Sequence, residues 1–192
     1  MSGILNPTSF VIEPFFQRMH TMSMRIERRI IMGKTLVAYF SPTGTTKKAA
    51  EKLSKQLKAD MYEIRPKVPY TAADLNWQDE KSRSSVEMKD LTSRPAIADH
   101  DANVEAYDTI FIGFPIWWYT APTIIRTFLE AYDFTDKIIV YFATSGGTDV
   151  MKATTDLMEV LNGKGKTRGG ILMNSKITDQ MLKTWIRSLQ LP

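Results

Sequence analysis

The residues with the clearest chemical potential form a hydroxyl-rich run at positions 41–46, with the sequence SPTGTT. An apolar run at 36–40 precedes it and a helical pattern opens at Lys47, which predicts a turn between a strand and a helix. Free N–H groups at the start of a helix, together with the helix dipole, favour a bound anion. We expect a phosphate to bind here through Ser41, Thr43, Gly44, Thr45 and Thr46.

This turn lacks the lysine of a P-loop and the spaced glycines of the dinucleotide fingerprint. Hydroxyls and backbone amides without a fixed cation suit a terminal monophosphate, because a hydrogen bond to a charged group contributes about 1.5–3 kcal/mol. A single threonine would more simply be a helix cap. Four hydroxyls around Gly44 favour the phosphate site instead.

A second candidate loop, at 113–122, carries three consecutive aromatic side chains between two prolines. Aromatic side chains in a loop are costly to leave exposed to water, so they are expected to pack on another group. Because aromatic rings stack with an offset, a flat conjugated ring is a natural partner. The alternative is that Trp117 or Trp118 fills the core or forms a dimer contact, and at least one is expected to point inward. The candidate ring-binding residues are Pro115, Ile116, Trp117, Trp118 and Tyr119.

A third candidate loop follows the next apolar run and contains Thr144, Ser145, Gly146 and Gly147. Two glycines let the backbone approach a ligand closely and offer N–H groups to its edge. A Gly-Gly pair alone is usually a simple turn, so the value of this loop depends on where the fold places it.

The elements around these loops predict one α/β architecture. Strand-like runs at 35–40, 61–65, 109–113, 138–143 and 170–173 alternate with helical patterns. Such alternation predicts a three-layer, doubly wound sheet of five parallel strands, and the phosphate turn favours the strand order 2-1-3-4-5. In that order the loops after the first, third and fourth strands meet beside the switch point, where ligands bind.

The three loops together describe a site for a mononucleotide with a large flat ring. A phosphate would bind at one end, with aromatic side chains beside it and an amide-rich edge opposite. FMN fits this set better than ATP, which would require a magnesium ligand and a catalytic lysine.

Composition narrows the class of protein. The chain has 192 residues, 43% of them apolar, as expected for one globular domain. It has no cysteine, which excludes disulfides and cysteine-ligated metals and agrees with a cytoplasmic location. No apolar stretch is long enough to span a bilayer. The two histidines, His20 and His100, lie outside the three loops, so no metal site and no Ser-His-Asp triad is expected.

Residues 1–32 are expected to be a disordered or loosely docked extension rather than a signal peptide, because their apolar run is cut by Gly33 and Lys34. They hold four arginines and two glutamates, which leaves +2 of the net charge of +4 for the domain at 33–192. No basic stripe with interleaved aromatics is present, so nucleic-acid binding is not expected. An excursion at about 66–106 is too long for a simple connection and contains Tyr70 and Trp77, which would cover the ligand or form local core.

Over residues 33–190 these motifs resemble the flavodoxin family, in its branch with a Pro-Ile-Trp-Trp loop. The phosphate turn is similar to the family's phosphate loop, and the second and third loops resemble its two ring-flanking loops. Glu87 and Arg94 resemble further marks of the branch. The resemblance implies non-covalent FMN and redox chemistry at the flavin, with no catalytic side chain.

Two features depart from the family's electron carriers. Those proteins are strongly acidic, whereas this chain is net positive. Carriers also often have a glycine in the first ring-flanking loop, where a peptide flips toward the reduced flavin, whereas residues 116–119 contain none. A flip into positive φ costs other residues roughly 1–2 kcal/mol, so the one-electron-reduced flavin should be weakly stabilised.

Three functions remain open at this stage. The first is an electron carrier that serves a redox partner protein. The second is an FMN-dependent NAD(P)H:quinone or related oxidoreductase with a small quinone-like acceptor. The third is a flavin-free interaction domain that docks through its aromatic loop. The sequence leaves open whether the protein is a monomer or a dimer.

Overall fold

The predicted sheet and its strand order are confirmed. A computed structural model of the protein describes residues 33–174 and 176–192, so the expected extension at 1–32 lies outside the described residues. Five parallel strands form one sheet in the order β2-β1-β3-β4-β5. They are β1 (Thr35–Tyr39), β2 (Asp60–Glu63), β3 (Thr109–Pro115), β4 (Ile138–Thr144) and β5 (Lys166–Leu172).

Five helices connect and cover these strands. They are α1 (Thr45–Leu57), α2 (Arg83–Lys89), α3 (Thr123–Ala131), α4 (Met151–Leu161) and α5 (Asp179–Ser188), with one 3-10 turn at Val104–Ala106. No helix in the described ranges has the length and apolar character that crossing a bilayer requires.

The sheet separates two apolar layers. Successive strand side chains point to opposite faces, so Ala38 and Ile112 pack with α3 and α4, whereas Val37 and Phe111 pack with α1 and α5. Because β1, β3 and β4 are covered on both sides, their sequences read as continuous apolar runs.

Some predicted strand boundaries are wrong, and the largest difference is at the edge strand β5. β5 begins at Lys166, four residues before the predicted start at Gly170. Its first residues include the exposed Lys166 and Arg168, because an edge strand does not need apolar side chains on both faces. In the centre, β3 continues two residues beyond its predicted end, so Pro115 pairs with Thr144 instead of belonging to a loop.

The excursion at 66–106 closes on itself near the edge strand β2. Pro66 and Ile97 form an antiparallel bridge, with Lys67 N–H donating to Ala96 O at 2.8 Å. Within the excursion, Ser82 caps α2 by accepting a hydrogen bond from the N–H of Ser85. The bridge returns the chain toward β3, with the helix α2 held between its two ends.

Candidate functional site

An open groove lies at the carboxyl ends of the central strands, at the predicted switch point. Its volume is about 820 Å³, within the usual range for small-molecule sites. It brings together residues from all three predicted loops: Thr43, Thr45, Pro115, Ile116, Trp117, Thr144, Ser145 and Gly146.

The first loop, residues 41–46, presents unpaired donors to this groove and is called the phosphate loop below. Gly44 adopts a φ of +81° immediately before α1. Among the described residues, no acceptor faces the N–H groups of Gly44, Thr45 and Thr46. The next N–H, of Lys47, donates to Ser41 Oγ at 3.0 Å. Free donors at a helix N-terminus, flanked by the hydroxyls of Thr43 and Thr45, fit a phosphate.

The hydroxyls of Thr43 and Thr45 lie 3.4 Å apart, at the long limit of a hydrogen bond, whereas the other two predicted hydroxyls have closer partners. Ser41 Oγ caps α1, and Ser41 itself lines a separate cavity of about 640 Å³ beside Arg65 and Tyr70. The buried hydroxyls of Thr46 and Thr144 lie 2.9 Å apart and hydrogen-bond to each other. This bond joins the phosphate loop to the end of β4, so it fixes the distance between the first and third loops.

The second loop is a tight hairpin, residues 117–120, called the aromatic hairpin below. Trp117 and Thr120 exchange backbone hydrogen bonds of 2.9 Å in both directions. The central residues, Trp118 and Tyr119, have φ values of 42° and 69°, as in a type I′ hairpin. Asn and Gly usually fill these positions, and other residues pay about 1–2 kcal/mol each for positive φ. Both aromatic side chains stand at the exposed tip rather than among the groove-lining residues.

Trp117 points the other way and forms one side of the groove. Its ring packs edge-to-face on Phe40 and on Tyr70, with centroid separations of 5.7 and 5.6 Å. Tyr70 therefore covers Trp117 from the excursion, while the exposed Trp77 does not contribute to this cluster. The excursion thus braces the ring-flanking side chain from behind.

Polar contacts hold Tyr70 in place. Its hydroxyl donates to Glu87 Oε2 at 2.5 Å, and Glu87 Oε1 accepts from Arg83 Nε at 2.7 Å. The Arg83 guanidinium lies 4.0 Å from the centre of the Tyr70 ring. Burial, and then the bond to Glu87, raises the pKa of Tyr70 above the usual phenol range, so the hydroxyl remains a donor at neutral pH. Farther along the excursion, Arg94 makes a bidentate ion pair with Glu130 on α3.

We expect Tyr70→Phe to lower the free energy of unfolding by about 1–2 kcal/mol at neutral pH, because it removes one partner of a largely buried carboxylate. A matched control is Tyr107→Phe, which removes an exposed hydrogen bond to Asp60 and should cost less than about 0.5 kcal/mol. Urea unfolding measures both changes.

The pH dependence of the Tyr70 effect has a definite sign. The folded-state pKa of Tyr70 lies above its unfolded value of 10.0, so its contribution is complete below that pH and is lost as pH rises toward the folded pKa. The stability difference between wild type and Tyr70→Phe should therefore be constant below about pH 9 and shrink between about pH 10 and about pH 12. A constant difference over this range would contradict the assignment.

The third loop is held by its own serine. Ser145 Oγ accepts from the N–H groups of Gly147 and Thr148, at 3.2 and 2.8 Å. The Ser145 N–H donates to Asn174 Oδ1 at 3.0 Å, which ties this loop to the one after β5. Among the described residues, only the Gly146 N–H of the two glycines remains without an acceptor. The loop offers the groove a small, rigid edge without an aromatic ring.

The groove also includes residues that the sequence reasoning missed. They come from α1 and from the loop after β5: Lys48, Ala49, Lys52, Met173, Asn174, Lys176 and Ile177. Two signals could have identified them. Lys48 and Lys52 are one helical turn apart beyond the phosphate loop, and β5 ends beside β4 in the predicted strand order.

Comparison with known proteins is consistent with this geometry. The family model described as flavodoxin matches residues 34–189. A candidate flavoprotein from Bacteroides eggerthii DSM 20697 is 44% identical over 83% of this chain and 99% of that one, with a TM-score of 0.80. A candidate flavoprotein from Bacteroides uniformis ATCC 8492 is 48% identical over 81% of this chain and 98% of that one, with a TM-score of 0.77.

A more distant structure contains a ligand. A flavoprotein from Lactobacillus acidophilus NCFM, solved in complex with FMN, is 25% identical over 80% of this chain and 99% of that one, with a TM-score of 0.64. No curated protein sequence matches the chain.

Proposed function

Because this chain belongs to the flavodoxin family, we propose that it binds FMN without a covalent bond and transfers electrons through it. The observation that carries the proposal is the convergence of three loops on one groove with free N–H donors at one end and an aromatic ring at its side. The similar Lactobacillus protein bound to FMN supports the choice of cofactor.

The residues have distinct roles in this proposal. The N–H groups of Gly44, Thr45 and Thr46 and the hydroxyls of Thr43 and Thr45 bind the phosphate. Trp117, braced by Phe40 and Tyr70, flanks the ring system, with Pro115 and Ile116 beside it. Ser145 and Gly146 line the ring edge, and Trp118 and Tyr119 cover it from the hairpin tip. FMN supplies the redox chemistry when bound, and the protein binds, orients and shields it.

Electron carriage to a redox partner protein is the function that the family supports most broadly. A second candidate is an FMN-dependent NAD(P)H:quinone or related oxidoreductase, and one observation favours it. The third loop carries only small side chains, so nothing aromatic opposes Trp117 across the groove among the described residues. A face left open in this way admits a second flat molecule.

The test begins with the absorption spectrum of the purified protein after incubation with FMN and removal of excess ligand. A yellow protein that oxidises NADPH or NADH with a quinone, without an added reductase, is the oxidoreductase. A yellow protein inert in that assay, but able to pass electrons from a flavodoxin reductase to cytochrome c, is the carrier. A colourless protein contradicts both.

The strained hairpin tip leads to a prediction with two opposite effects. Tyr119→Gly should raise the free energy of unfolding of the apo-protein by about 0.5–1 kcal/mol, because relief of positive φ outweighs the added entropy of the unfolded chain. It should also weaken FMN binding roughly fivefold, because an aromatic contact is lost. Urea unfolding and fluorescence titration measure the two effects. The control Tyr119→Phe keeps both ring and strain, and should change neither; a Tyr119→Gly variant that gains stability without losing FMN affinity would exclude Tyr119 from the site.

A further inference from the structure

Three lysines line the groove beyond the phosphate loop and are called the lysine wall: Lys48, Lys52 and Lys176. No carboxylate is among the described groove-lining residues, although the chain has 21 acidic residues against 25 lysines and arginines. A groove lined by one sign of charge attracts a ligand of the opposite sign.

One lysine of the wall is structural, and the other two have no charged partner among the described residues. Lys52 Nζ donates to Ile177 O at 2.7 Å and pairs with Asp179 at 3.1 Å, which holds α1 against the loop after β5. Within the described ranges, Lys48 and Lys176 make no ion pair. Two uncompensated cations on one groove favour an anion between or beside them.

The FMN phosphate is too far away to be the only such anion. Lys52 lies seven residues after Thr45, which is about 10 Å along a helix that rises 1.5 Å per residue. Lys176 adjoins Ile177, whose carbonyl contacts Lys52, so it lies toward this distant end. A monophosphate at the N-terminus of α1 can reach Lys48 at most, which leaves the far end of the wall for a second anion.

The side of the groove opposite Trp117 would leave one face of a bound flavin open. This open face indicates which kind of molecule carries the second anion. The small side chains of Ser145 and Gly146 leave space for a flat ring next to the flavin, and Asn174 leads from there to Lys176. A nicotinamide dinucleotide combines a flat ring with two linking phosphates, and its phosphorylated form carries a further phosphate on the adenosine ribose. The nicotinamide ring therefore matches the space beside Ser145 and Gly146, and the phosphates match the lysine wall.

We propose that the lysine wall binds the phosphates of a nicotinamide dinucleotide whose ring stacks on the open flavin face, and that the phosphorylated form binds better. The proposal rests on the proposed function, since it requires bound FMN. In the reaction, hydride leaves C4 of the dihydronicotinamide, which is oxidised, and reduces the flavin by two electrons. A quinone-like acceptor then takes both electrons and two protons, one that arrived with the hydride and one from water.

The experiment uses the FMN-loaded protein and the oxidised dinucleotide NADP⁺, which binds without reducing the flavin. Calorimetry at low ionic strength should detect binding, and binding of NAD⁺ should be weaker. The double variant Lys48→Gln/Lys176→Gln should bind NADP⁺ about tenfold more weakly, from two exposed charge contacts. The matched control is Lys55→Gln, which removes a charge from an exposed position on the same helix and should leave binding unchanged. Lys52 is kept because it holds α1 in place.

Each other outcome overturns the proposal. If the yellow wild-type protein shows no heat with NADP⁺, no dinucleotide site exists. If the double variant binds NADP⁺ as well as wild type, the phosphates lie elsewhere. If the single variant Lys176→Gln loses FMN affinity by more than about twofold, the far end of the wall serves the FMN phosphate instead. A protein that never becomes yellow fails at the FMN step, which the spectrum reveals before any dinucleotide is added.

Discussion

Replacing Gly113 by alanine is expected to lower the free energy of unfolding by about 3 kcal/mol, the upper range for overpacking a buried site. Gly113 lies in β3 directly opposite Phe142 of β4, and the Phe142 ring lies across it. A Cβ on Gly113 would stand 2.1 Å from Phe142 Cζ and 2.4 Å from Cε2. Because Phe142 is completely buried, its ring cannot move aside without displacing the layer under α1 and α5.

Urea unfolding of the apo-protein measures this effect against a matched control. Gly146→Ala makes the same chemical change at a position where a Cβ meets nothing within 4 Å, so it should change stability by less than about 0.5 kcal/mol. Adding Phe142→Leu to Gly113→Ala should recover part of the lost stability, since the smaller side chain makes room. Equal stabilities for Gly113→Ala and Gly146→Ala would contradict the packing described for β3 and β4.

The second large effect is expected at the bond between the phosphate loop and β4. Thr46→Val keeps the shape of the side chain but leaves the buried Thr144 hydroxyl without its partner, which should cost about 2 kcal/mol of stability. FMN affinity should fall about tenfold, because the loss of this bond lets the first and third loops move apart. Unfolding in urea and titration with FMN measure the two quantities.

A double-mutant cycle distinguishes this pairing from a general loss of packing. Thr46→Val/Thr144→Val replaces both hydroxyls by methyl groups, so it should be more stable than the sum of the single changes indicates, by about 1–2 kcal/mol. Thr155→Val, which removes an exposed hydroxyl bonded within α4, is the surface control. Additive single effects would mean that the two hydroxyls do not depend on each other.

The fold was predictable from the sequence because its central strands are covered on both faces. The continuous apolar runs of β1, β3 and β4 are typical of strands in the centre of a sheet that is covered on both faces. Their alternation with helices then favours a parallel sheet with one topology. The edges were less predictable. The start of β5 is polar because it faces solvent, and the apolar Met181 on α5 is exposed.

The candidate site was predictable as a set of loops, but the direction of individual side chains was not. Sequence position places Thr46 beside Thr45, yet the tertiary structure buries its hydroxyl against that of Thr144, so Thr46 does not line the groove. Likewise, only the hairpin geometry separates Trp117, which packs on Phe40 and Tyr70, from the exposed Trp118. The weak stabilisation of one-electron-reduced flavin stays a prediction, since it depends on how this hairpin responds to reduction.

The most direct test of the central claim is calorimetric titration of the apo-protein with FMN and, separately, with riboflavin, which has the same ring system but no phosphate. Three converging loops that hold both ends of the cofactor predict one FMN per chain, bound at least about 100-fold more tightly than riboflavin, because several charge-assisted hydrogen bonds are lost with the phosphate. Equal affinities for the two ligands would contradict the phosphate loop, and the absence of heat with FMN would contradict the whole site.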